Sequence, residues 1–434
     1  MMEDWKTYRL DELFEFSSGL SKPRSEFGSG YQFLSFKDVF YNYFVPDKLE
    51  ELVNSTEKER KSCSVKRGDV FLTRTSETMG ELGMSCVSLR DYEGATFNGF
   101  TKRLRPRFPE RIVPEYAGYF FRSPAFRQGV TSMSSLSTRA SLNNEMLGRL
   151  KMILPPVETQ KAIGGVLKSL DDKIELNRRM NATLEAMARA LFKAWFVDFE
   201  PVHANLENRP SQSASPEIAK LFPSTFENGI PKGWETKSIS ECCDVARGSS
   251  PRPIHDYIGD DIPWVKIADA TRAGSFFIFE TKEKIKASGK DKSVYLTKGS
   301  LILSNSATCG VPMFLEIEGC VHDGWLFFSN YRGITSDFLF EALARMSERL
   351  VQEADGTVQK NLNIALISRQ PLIVPSAPVM SQFEKVHMSL FEKIKSNQME
   401  SLKLAEVRES LLPRLILGKL RVGDSETSFE MEAG

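Results

Sequence analysis

Three loops in the first third of the chain concentrate side chains that can hydrogen-bond to phosphate oxygens and to base edges. These loops, at residues 17–25, 73–78 and 134–139, are rich in serine, threonine, lysine and arginine. Such groups contact phosphates, and arginine, lysine, asparagine and glutamine can distinguish bases. The same residue types are common in ordinary solvated loops, so the pattern taken alone leaves both interpretations open.

The sequence contains no pattern typical of a catalytic centre. It lacks a Gly-x-x-x-x-Gly-Lys-Ser/Thr loop, a Gly-x-Gly-x-x-Gly turn and the Pro-Pro-aromatic segment of amino-methyltransferases. His322-Asp323 could be a catalytic pair, but the repeat described below places it at a turn. Glu283-Lys284 could belong to a metal nuclease, but short charge runs usually face solvent. The histidines have no metal-ligand spacing: His203, His255, His322 and His387. We predict no catalytic site, no metal and no cofactor in this chain.

Short apolar runs separated by polar turns predict an α+β domain from Trp5 to about Pro155. The expected strands are 33–36, 70–73, 84–89 and 151–154. A helix is expected at 114–130. These elements would position the polar loops at their ends.

The pattern of this first domain returns later in the chain. The matched segments, in the same order, are Trp5-Lys6-Thr7 with Trp234-Glu235-Thr236, residues 66–70 with 297–301, Asn98-Gly99-Phe100 with Asp323-Gly324-Trp325, and Leu142-Asn143 with Leu362-Asn363. In the third match, both segments are a turn dipeptide followed by an aromatic residue. Because order, spacing and residue type persist, the chain is interpreted as a tandem duplication with a second α/β domain.

Each repeat is followed by a long amphipathic segment. In both, an apolar residue or an asparagine recurs at every seventh position. These residues are Ile163, Leu170, Asn177, Leu184 and Leu191 in the first, and Phe383, Leu390, Asn397, Leu404 and Leu411 in the second. Helices of this length, about 60 Å, must bury the apolar stripe. Matching asparagines favour antiparallel pairing of the two helices, with Asn177 opposite Asn397, because a polar seam residue fixes the register. Alternatively, each stripe packs on its own globular neighbour.

An antiparallel helix pair would relate the two domains by a pseudo-two-fold axis. Groove faces of B-form DNA recur about every 34 Å, so two such domains could read separated half-sites. The helices would then measure the gap between the half-sites. Because the loops of the two repeats differ, we expect the half-sites to differ.

The whole-chain composition is typical of a globular protein. The 434 residues include 41% hydrophobic and 26% charged residues, with a formal net charge of zero. A neutral chain argues against indiscriminate nucleic-acid binding but allows local basic clusters. The acidic N-terminus and the lack of a long apolar run predict a cytoplasmic protein. Six cysteines without paired spacing are expected to be reduced thiols in the core.

Several short motifs resemble those of the specificity (S) subunit of type I restriction–modification systems. The motifs that carry the resemblance are residues 155–160 (PPVETQ), 194–201 (AWFVDFEP), 221–223 (LFP), 230–234 (IPKGW) and 411–415 (LLPRL). Together with the repeat layout, they extend the resemblance over essentially the whole chain.

The resemblance implies a set of domains with defined limits. These are target-recognition domain 1 at 1–155, a first spacer helix at 156–200, a linker at 201–232, target-recognition domain 2 at 233–375, a second spacer helix at 376–424 and a flexible tail at 425–434. Each recognition domain would read one half of a bipartite, asymmetric DNA target.

The resemblance also implies partners that supply the chemistry. Two methyltransferase (M) subunits would dock on the helices and methylate adenine at N6, and restriction (R) subunits would translocate and cleave DNA. S-adenosylmethionine, ATP and Mg would bind to those subunits, and no cofactor would bind to this chain. The partners would also supply much of the phosphate contact that a neutral chain lacks.

Polar residues of the matched loops are the predicted contacts to double-stranded DNA. In the first domain they are Lys22, Arg24, Lys37, Arg74, Thr75, Ser76, Thr138, Arg139 and Asn143. In the second they are Arg247, Ser249, Arg252, Lys266, Asn305, Ser306, Thr308, Gln359, Lys360 and Asn363. Some of these side chains would instead close turns. The alternative function is a coiled-coil adaptor whose globular domains bind proteins, and a fused nuclease or methyltransferase fragment would need a cofactor motif that the sequence lacks.

Overall fold

The computed structural model describes residues 4–76, 81–133, 140–306, 308–354 and 361–422. These residues form two compact units. Unit 1 contains the residues up to Leu176 together with those from Glu400 onward, and unit 2 is Asn177–Met399. Within the described ranges, no helix has the length and apolar character needed to cross a membrane.

Unit 1 contains the first repeat. Its strands are β1 (Lys6–Arg9), β2 (Phe14–Ser18), β3 (Phe27–Leu34), β4 (Leu52–Val53), β5 (Val70–Thr73), β6 (Thr75–Ser76), β7 (Ser85–Val87), β8 (Thr96–Phe97), β9 (Thr101–Pro106), β10 (Ala140–Ser141) and β11 (Lys151–Leu154). Its helices are α1 (Leu10–Leu13), α2 (Phe36–Tyr41), α3 (Glu57–Ser62), α4 (Pro114–Arg122), α5 (Pro124–Met133) and α6 (Asn144–Arg149). The long helix α7 (Val157–Phe196) starts in this unit.

Unit 2 contains the second repeat. Its strands are β12 (Phe226–Glu227), β13 (Ile230–Pro231), β14 (Glu235–Ser238), β15 (Asp244–Arg247), β16 (Ile258–Gly259), β17 (Ile262–Val265), β18 (Phe277–Ile278), β19 (Glu283–Ile285), β20 (Val294–Leu296), β21 (Leu301–Ser304), β22 (Pro312–Leu315), β23 (Gly319–Val321), β24 (Trp325–Ser329) and β25 (Pro371–Val374). Its helices are α8 (Glu200–Leu206), α9 (Pro216–Ala219), α10 (Ile239–Cys242), α11 (Ile267–Ala273), α12 (Ser336–Glu353) and α13 (Ile364–Ser368), followed by the long helix α14 (Ala377–Ile416).

The sheets of the two units have the same plan. In unit 1 one sheet has the order β2-β9-β5-β7, and in unit 2 the corresponding order is β15-β24-β21-β22-β18. The first strand of each repeat pairs antiparallel with the last, β1 with β11 and β14 with β25. A parallel pair also recurs, β3 with β8 and β17 with β23. The α+β class and the tandem repeat are therefore confirmed.

Backbone contacts at the strand ends repeat in detail. The Leu142 amide donates to the Arg74 carbonyl at 2.9 Å, and the Leu362 amide donates to the Asn305 carbonyl at the same distance. Gly19 packs on the turn that contains Asn98, and Gly248 packs on the turn that contains His322. A Cβ would lie 2.2 Å from the Asn98 oxygen at Gly19 and 2.3 Å from the His322 oxygen at Gly248. Glycine is required there because the backbones approach too closely for a side chain.

Two predicted elements end where a local signal interrupts them. Strand β3 stops at Leu34 rather than Phe36, because the Ser35 hydroxyl caps helix α2 by accepting a hydrogen bond from the Asp38 amide. The helix expected at 114–130 is divided into α4 and α5. Ser123 has extended backbone angles, as the residue before a proline usually does.

The long helices run antiparallel in each unit. In unit 2, Nδ2 of Asn177 donates to the backbone carbonyl of Asn397 at 3.2 Å, and Nδ2 of Asn397 donates to Oδ1 of Asn181 at 2.9 Å. In unit 1, Lys173 lies 3.1 Å from Glu400, and Arg408 pairs with Asp171. Residue numbers thus rise along α7 as they fall along α14. The antiparallel helix pairing is confirmed.

The predicted seam residues are buried to different extents. Ile163, Asn177, Phe383 and Asn397 are almost completely buried. The leucines of both rows are half-buried: Leu170, Leu184, Leu191, Leu390, Leu404 and Leu411. Apolar residues beside these rows are also exposed, which leaves apolar helix surface uncovered within each unit.

The segment expected to be a linker contains packed structure between α8 and the β12–β13 hairpin. Glu200 accepts hydrogen bonds from the Ser211 hydroxyl at 2.6 Å and the Ser213 hydroxyl at 2.7 Å, and from Arg209 at 2.9 Å. Trp195 donates its indole N–H to the Ser213 carbonyl. The polar run 208–216 is therefore held against the end of α7.

Candidate nucleic-acid interface

In the second domain, the turn between β23 and β24 organises a cluster of cationic and hydroxyl groups. Nε of Arg247 donates to the Asp323 carbonyl at 2.6 Å. The Ser250 hydroxyl donates to Oδ1 of Asp323 at 3.0 Å, and Nη2 of Arg252 lies 3.3 Å from Oδ2. Ser250, Arg252 and Asp323 line an open cleft of about 700 Å³ together with Trp264. The cleft is thus lined by one arginine and one carboxylate, and Arg247 contacts the same turn through the Asp323 carbonyl.

His322 and Asp323 form a polar turn rather than a catalytic dyad. Nδ1 of His322 accepts the Gly324 amide proton at 2.8 Å, and Nε2 lies 2.9 Å from Oδ1 of Asp323. Both ring nitrogens are therefore engaged, and Ser250 donates to the carboxylate instead of the imidazole. A general base needs a free ring nitrogen beside the nucleophile. The geometry provides none.

Burial and neighbouring cations set the charge of this turn. Burial lowers the pKa of His322, with Lys266, Arg247 and Arg252 acting in the same direction against the opposing effect of Asp323. For Asp323, burial opposes ionisation, but His322, the Ser250 hydroxyl and the two arginines together lower its pKa. The cleft therefore presents a neutral histidine beside an ionised aspartate and the Arg252 guanidinium, with Arg247 at the same turn.

The two arginines differ in how much of the side chain solvent can reach. The Arg252 side chain is 81% exposed, although its Nη2 lies beside Asp323. Arg247 is also exposed, but the bond to the Asp323 carbonyl fixes its Nε. Arg252 is thus the more available for a bidentate contact to a base or phosphate.

Other predicted residues of the second domain have structural partners. Lys266 lies 2.7 Å from Glu283, the Ser249 hydroxyl donates to the Lys292 carbonyl, and the oxygen of Asn363 caps α13. Asn305 is 1% exposed and donates to the Asp323 carbonyl at 3.2 Å. Ser306 is half-buried near Gly324, and Thr308 is exposed. Asn305 therefore stabilises the turn from within the domain rather than facing solvent.

In the first domain, the equivalent turn carries a different set of groups. The Arg74 amide donates to the Phe100 carbonyl at 3.0 Å, which fixes Arg74 beside the turn. Lys102, on β9, is 8% exposed and donates from Nζ to the Ser18 hydroxyl at 2.8 Å. Burial lowers the pKa of Lys102, and the nearby Arg74 lowers it further. The two cations lie close enough to interact.

The remaining predicted residues of the first domain are dispersed. Lys22 pairs with Glu59 at 2.9 Å, and the oxygen of Asn143 caps α6. Arg24 and Lys37 are exposed on separate short helices. Thr75 and Ser76 form the short strand β6, paired with β10. Four predicted contacts lie outside the described residues: Thr138, Arg139, Gln359 and Lys360.

Sequence reasoning missed Lys102, Ser18, Ser250 and the supporting role of Asp323. The segment 101–105 contains three cations in a strand, which was a usable signal, but a strand pattern does not say which cation lacks a partner. The six cysteines are free and buried. Among the described residues, no group of three or more histidine, cysteine or acidic side chains could hold a metal ion.

Known proteins share both the sequence pattern and the fold. The family described as "Type I restriction modification DNA specificity domain" matches residues 2–186 and 231–407. The HindI specificity subunit of Haemophilus influenzae is 27% identical over 96% of this chain and 100% of its own length. The MjaIX specificity subunit of Methanocaldococcus jannaschii is 27% identical over 97% of this chain and 94% of its own.

A solved structure supports the fold assignment. The S subunit from M. genitalium matches with a TM-score of 0.57 at 12% identity, covering 95% of this chain and 96% of that one. At this level of identity, the likeness concerns the architecture and says nothing about individual contact residues.

Proposed function

Because the chain belongs to the type I restriction–modification specificity subunit family, we propose that its two α+β domains each read one half of a bipartite, asymmetric DNA sequence. One observation carries the proposal. The same turn of the same fold presents Arg74 and Lys102 in the first domain, and Arg247, Arg252 and Asp323 in the second. A repeated turn that carries different polar groups in the two domains would contact the DNA differently in each, as two different half-sites require.

The chemistry of the second cleft favours contacts in the major groove. A guanidinium can donate two parallel hydrogen bonds to O6 and N7 of guanine, and such a contact contributes about 1–3 kcal/mol of discrimination. Arg252 has the exposure for this role, and Asp323 limits its orientations. The carboxylate also disfavours close approach of a phosphate, which favours base reading over backbone binding at this cleft.

The long helices are proposed to set the gap between half-sites and to dock methyltransferase subunits. Both units leave apolar helix residues exposed, Leu176 and Leu402 in unit 1, and Met187, Met388 and Met399 in unit 2. Exposed apolar surface on a helix commonly marks a protein interface. In this proposal the M subunits bind S-adenosylmethionine and methylate adenine N6, R subunits use ATP and Mg, and this chain acts without a catalytic site.

Mapping methylated adenine across the genome tests the proposal. Cells that express this chain with its methyltransferase partner should methylate one bipartite sequence, and cells without the chain should not. Arg252→Ala should relax one half-site and leave the other unchanged. Lys237→Ala is the matched control, because Lys237 lies on β14 of the same domain and pairs with Glu235 at 2.5 Å.

An adaptor without DNA specificity would give a different result. In that case the assembled complex would bind random and target DNA equally, and neither substitution would alter the methylation pattern. A change at both half-sites with Arg252→Ala would contradict the assignment of one half-site to each domain.

A further inference from the structure

Strand β9 carries three cations, Lys102, Arg103 and Arg105, whose roles can be separated by their partners. Arg105 makes two hydrogen bonds to Asp69, at 2.7 and 2.6 Å. Arg103 donates to the carbonyls of Ser62 and Ser64. Both arginines therefore stabilise the domain. Lys102 has no such explanation, since among the residues that the structure describes its Nζ donates only to the Ser18 hydroxyl.

Lys102 is buried in a way that is unfavourable for the folded domain alone. It is 8% exposed, and no carboxylate of the described residues forms an ion pair with it. Burying an ammonium group without an anion costs free energy because the group loses its hydration. The strand therefore retains a lysine at a position where an apolar residue would be more stable.

Arg74 adds a second cation at the same place. Its backbone is fixed on both sides, by the Phe100 carbonyl and by the Leu142 amide. Its Nε is buried and has no acceptor among the described residues. Two positive groups that repel each other, one with an unused donor, would both be stabilised by an anion between them.

The second domain shows how the same turn is neutralised from within. There Asp323 supplies a carboxylate to Arg252. Its structural counterpart in the first domain is Gly99, because Asn98 and His322 make the same contact: Oδ1 of Asn98 accepts the Phe100 amide proton at 2.7 Å, as Nδ1 of His322 accepts that of Gly324 at 2.8 Å. The first domain therefore has no carboxylate at the position that Asp323 occupies in the second.

We propose that Lys102 and Arg74 form a phosphate-binding site that fixes the DNA backbone against the first domain. This proposal rests on the DNA binding proposed above. A phosphodiester supplies the negative charge that would balance the two cations, whereas the edge of a guanine carries no charge. Phe100, 60% exposed at the same turn, offers an apolar surface to the adjoining deoxyribose. The structural counterpart of Phe100 in the second domain is Gly324, because the Asn305 amide donates to the Gly324 carbonyl as the Arg74 amide donates to the Phe100 carbonyl, so this arrangement belongs to the first domain alone.

The salt dependence of DNA binding by the complex with methyltransferase subunits tests the site. For Lys102→Met, the slope of log affinity against log salt should decrease by about 0.9, the value for one phosphate. That change corresponds to about eightfold weaker binding at 0.1 M salt. Because phosphates carry no sequence information, target and random DNA should be weakened equally. Arg74→Met should show the same pattern.

Neutralised DNA identifies the phosphate directly. A single methylphosphonate is moved along the target, and one position in the first half-site should weaken wild-type binding. The Lys102→Met complex should lose nothing further at that position. Lys61→Met is the matched control, since Lys61 is 76% exposed in the same domain and pairs with Glu57. It should leave the slope and the methylphosphonate profile unchanged.

The free protein separates a DNA contact from a structural role. A lysine retained for DNA should not stabilise the domain, so Lys102→Met should leave the thermal midpoint unchanged or raise it. A lower midpoint, an unchanged salt slope, or a loss restricted to target DNA would overturn the proposal. If wild-type complex shows no sequence preference at all, the proposed function fails instead, which the wild-type measurement reveals before any variant is compared.

Discussion

Nε2 of His387 lies 3.0 Å from Oε1 of Glu341, and both side chains are almost completely buried. Nδ1 of the same ring lies 2.9 Å from Oδ1 of Asp337. The imidazole on α14 is therefore held between two carboxylates on α12. Burial lowers the pKa of His387, but the hydrogen bonds and charges of Asp337 and Glu341 outweigh burial and raise it.

We expect the stability of unit 2 to depend on this histidine below neutral pH. The pKa of His387 is higher in the folded state than the value of about 6.5 for an unfolded histidine. Its contribution is therefore complete below about pH 6.5 and is lost as the pH rises through the folded pKa. His387→Gln should lower the unfolding free energy by roughly 3 kcal/mol at pH 6, because two buried carboxylates lose their cation.

Calorimetry of wild type and His387→Gln between pH 6 and 9 measures this effect. The difference between their midpoints should shrink as the pH rises. Glu185, whose pKa burial raises, titrates in both proteins, so the comparison isolates the histidine. In unit 1, Arg408 and Tyr119 meet at Asp171, and neither arginine nor tyrosine changes charge in this range. A pH-independent difference would contradict the assignment.

The asparagines of the helix seam should be coupled in pairs. Asn181→Leu removes the acceptor of the buried Asn397 amide, which should cost about 1–3 kcal/mol. Changing Asn397 to leucine as well should recover part of that loss, since both polar groups are then gone. Urea unfolding of the two single variants and the double variant measures the coupling free energy. Strictly additive losses would show that the amide pair contributes nothing specific.

Glu200 is predicted to hold the segment 208–213. Hydrogen bonds from Gln212, Ser211, Arg209 and Ser213 overcome the effect of burial and lower the pKa of Glu200 to about 2. Its stabilising effect is thus present above the unfolded pKa of about 4.3 and lost as the pH falls toward 2. Glu200→Gln should cost about 1–3 kcal/mol at pH 7 and expose residues 208–213 to proteolysis. Glu207→Gln, which alters an exposed partner of Arg209, is the control.

Removing a carboxylate from the second turn and adding one to the first should change DNA binding in opposite directions. Asp323→Asn removes the carboxylate beside Arg252, so we expect stronger binding to random DNA, a steeper salt dependence and weaker discrimination at one half-site. Asn98→Asp should place an anion near Lys102 and weaken binding. Fluorescence anisotropy of the assembled complex at several salt concentrations measures both. If both variants changed the DNA affinity in the same direction, the two turns would not act through their charge.

The sequence was sufficient for features that depend on periodicity and repetition. The seven-residue rows predicted two antiparallel helices, and the repeated turns predicted two like domains. The strands 70–73 and 151–154 match β5 and β11. Asn177 contacts Asn397 as predicted, but the side-chain amide of Asn397 also donates to Asn181, one helical turn further along, because side-chain register depends on packing that periodicity does not specify.

Individual contact residues were harder to predict because polar side chains have competing local uses. Asn143 and Asn363 match in the two repeats, and in both domains the oxygen caps a helix. Lysine side chains usually face solvent, but Lys22 pairs with Glu59 and Lys266 pairs with Glu283. The burial of Lys102 depends on strand pairing between β2, β9 and β5, which brings Ser18 and Leu72 beside it. No local pattern encodes that environment.

Unit 2 is one continuous stretch of chain, Asn177–Met399, whereas unit 1 needs residues from Glu400 onward as well as the first 176. Leu412, Leu415 and Ile416 lie in the same buried cluster as Leu10 and Phe14. During synthesis the second-made domain can therefore close while the first still lacks part of its core. Leu10 and Phe14 reach their final environment only after Ile416 has been made, and a nascent chain would expose that incomplete core until then.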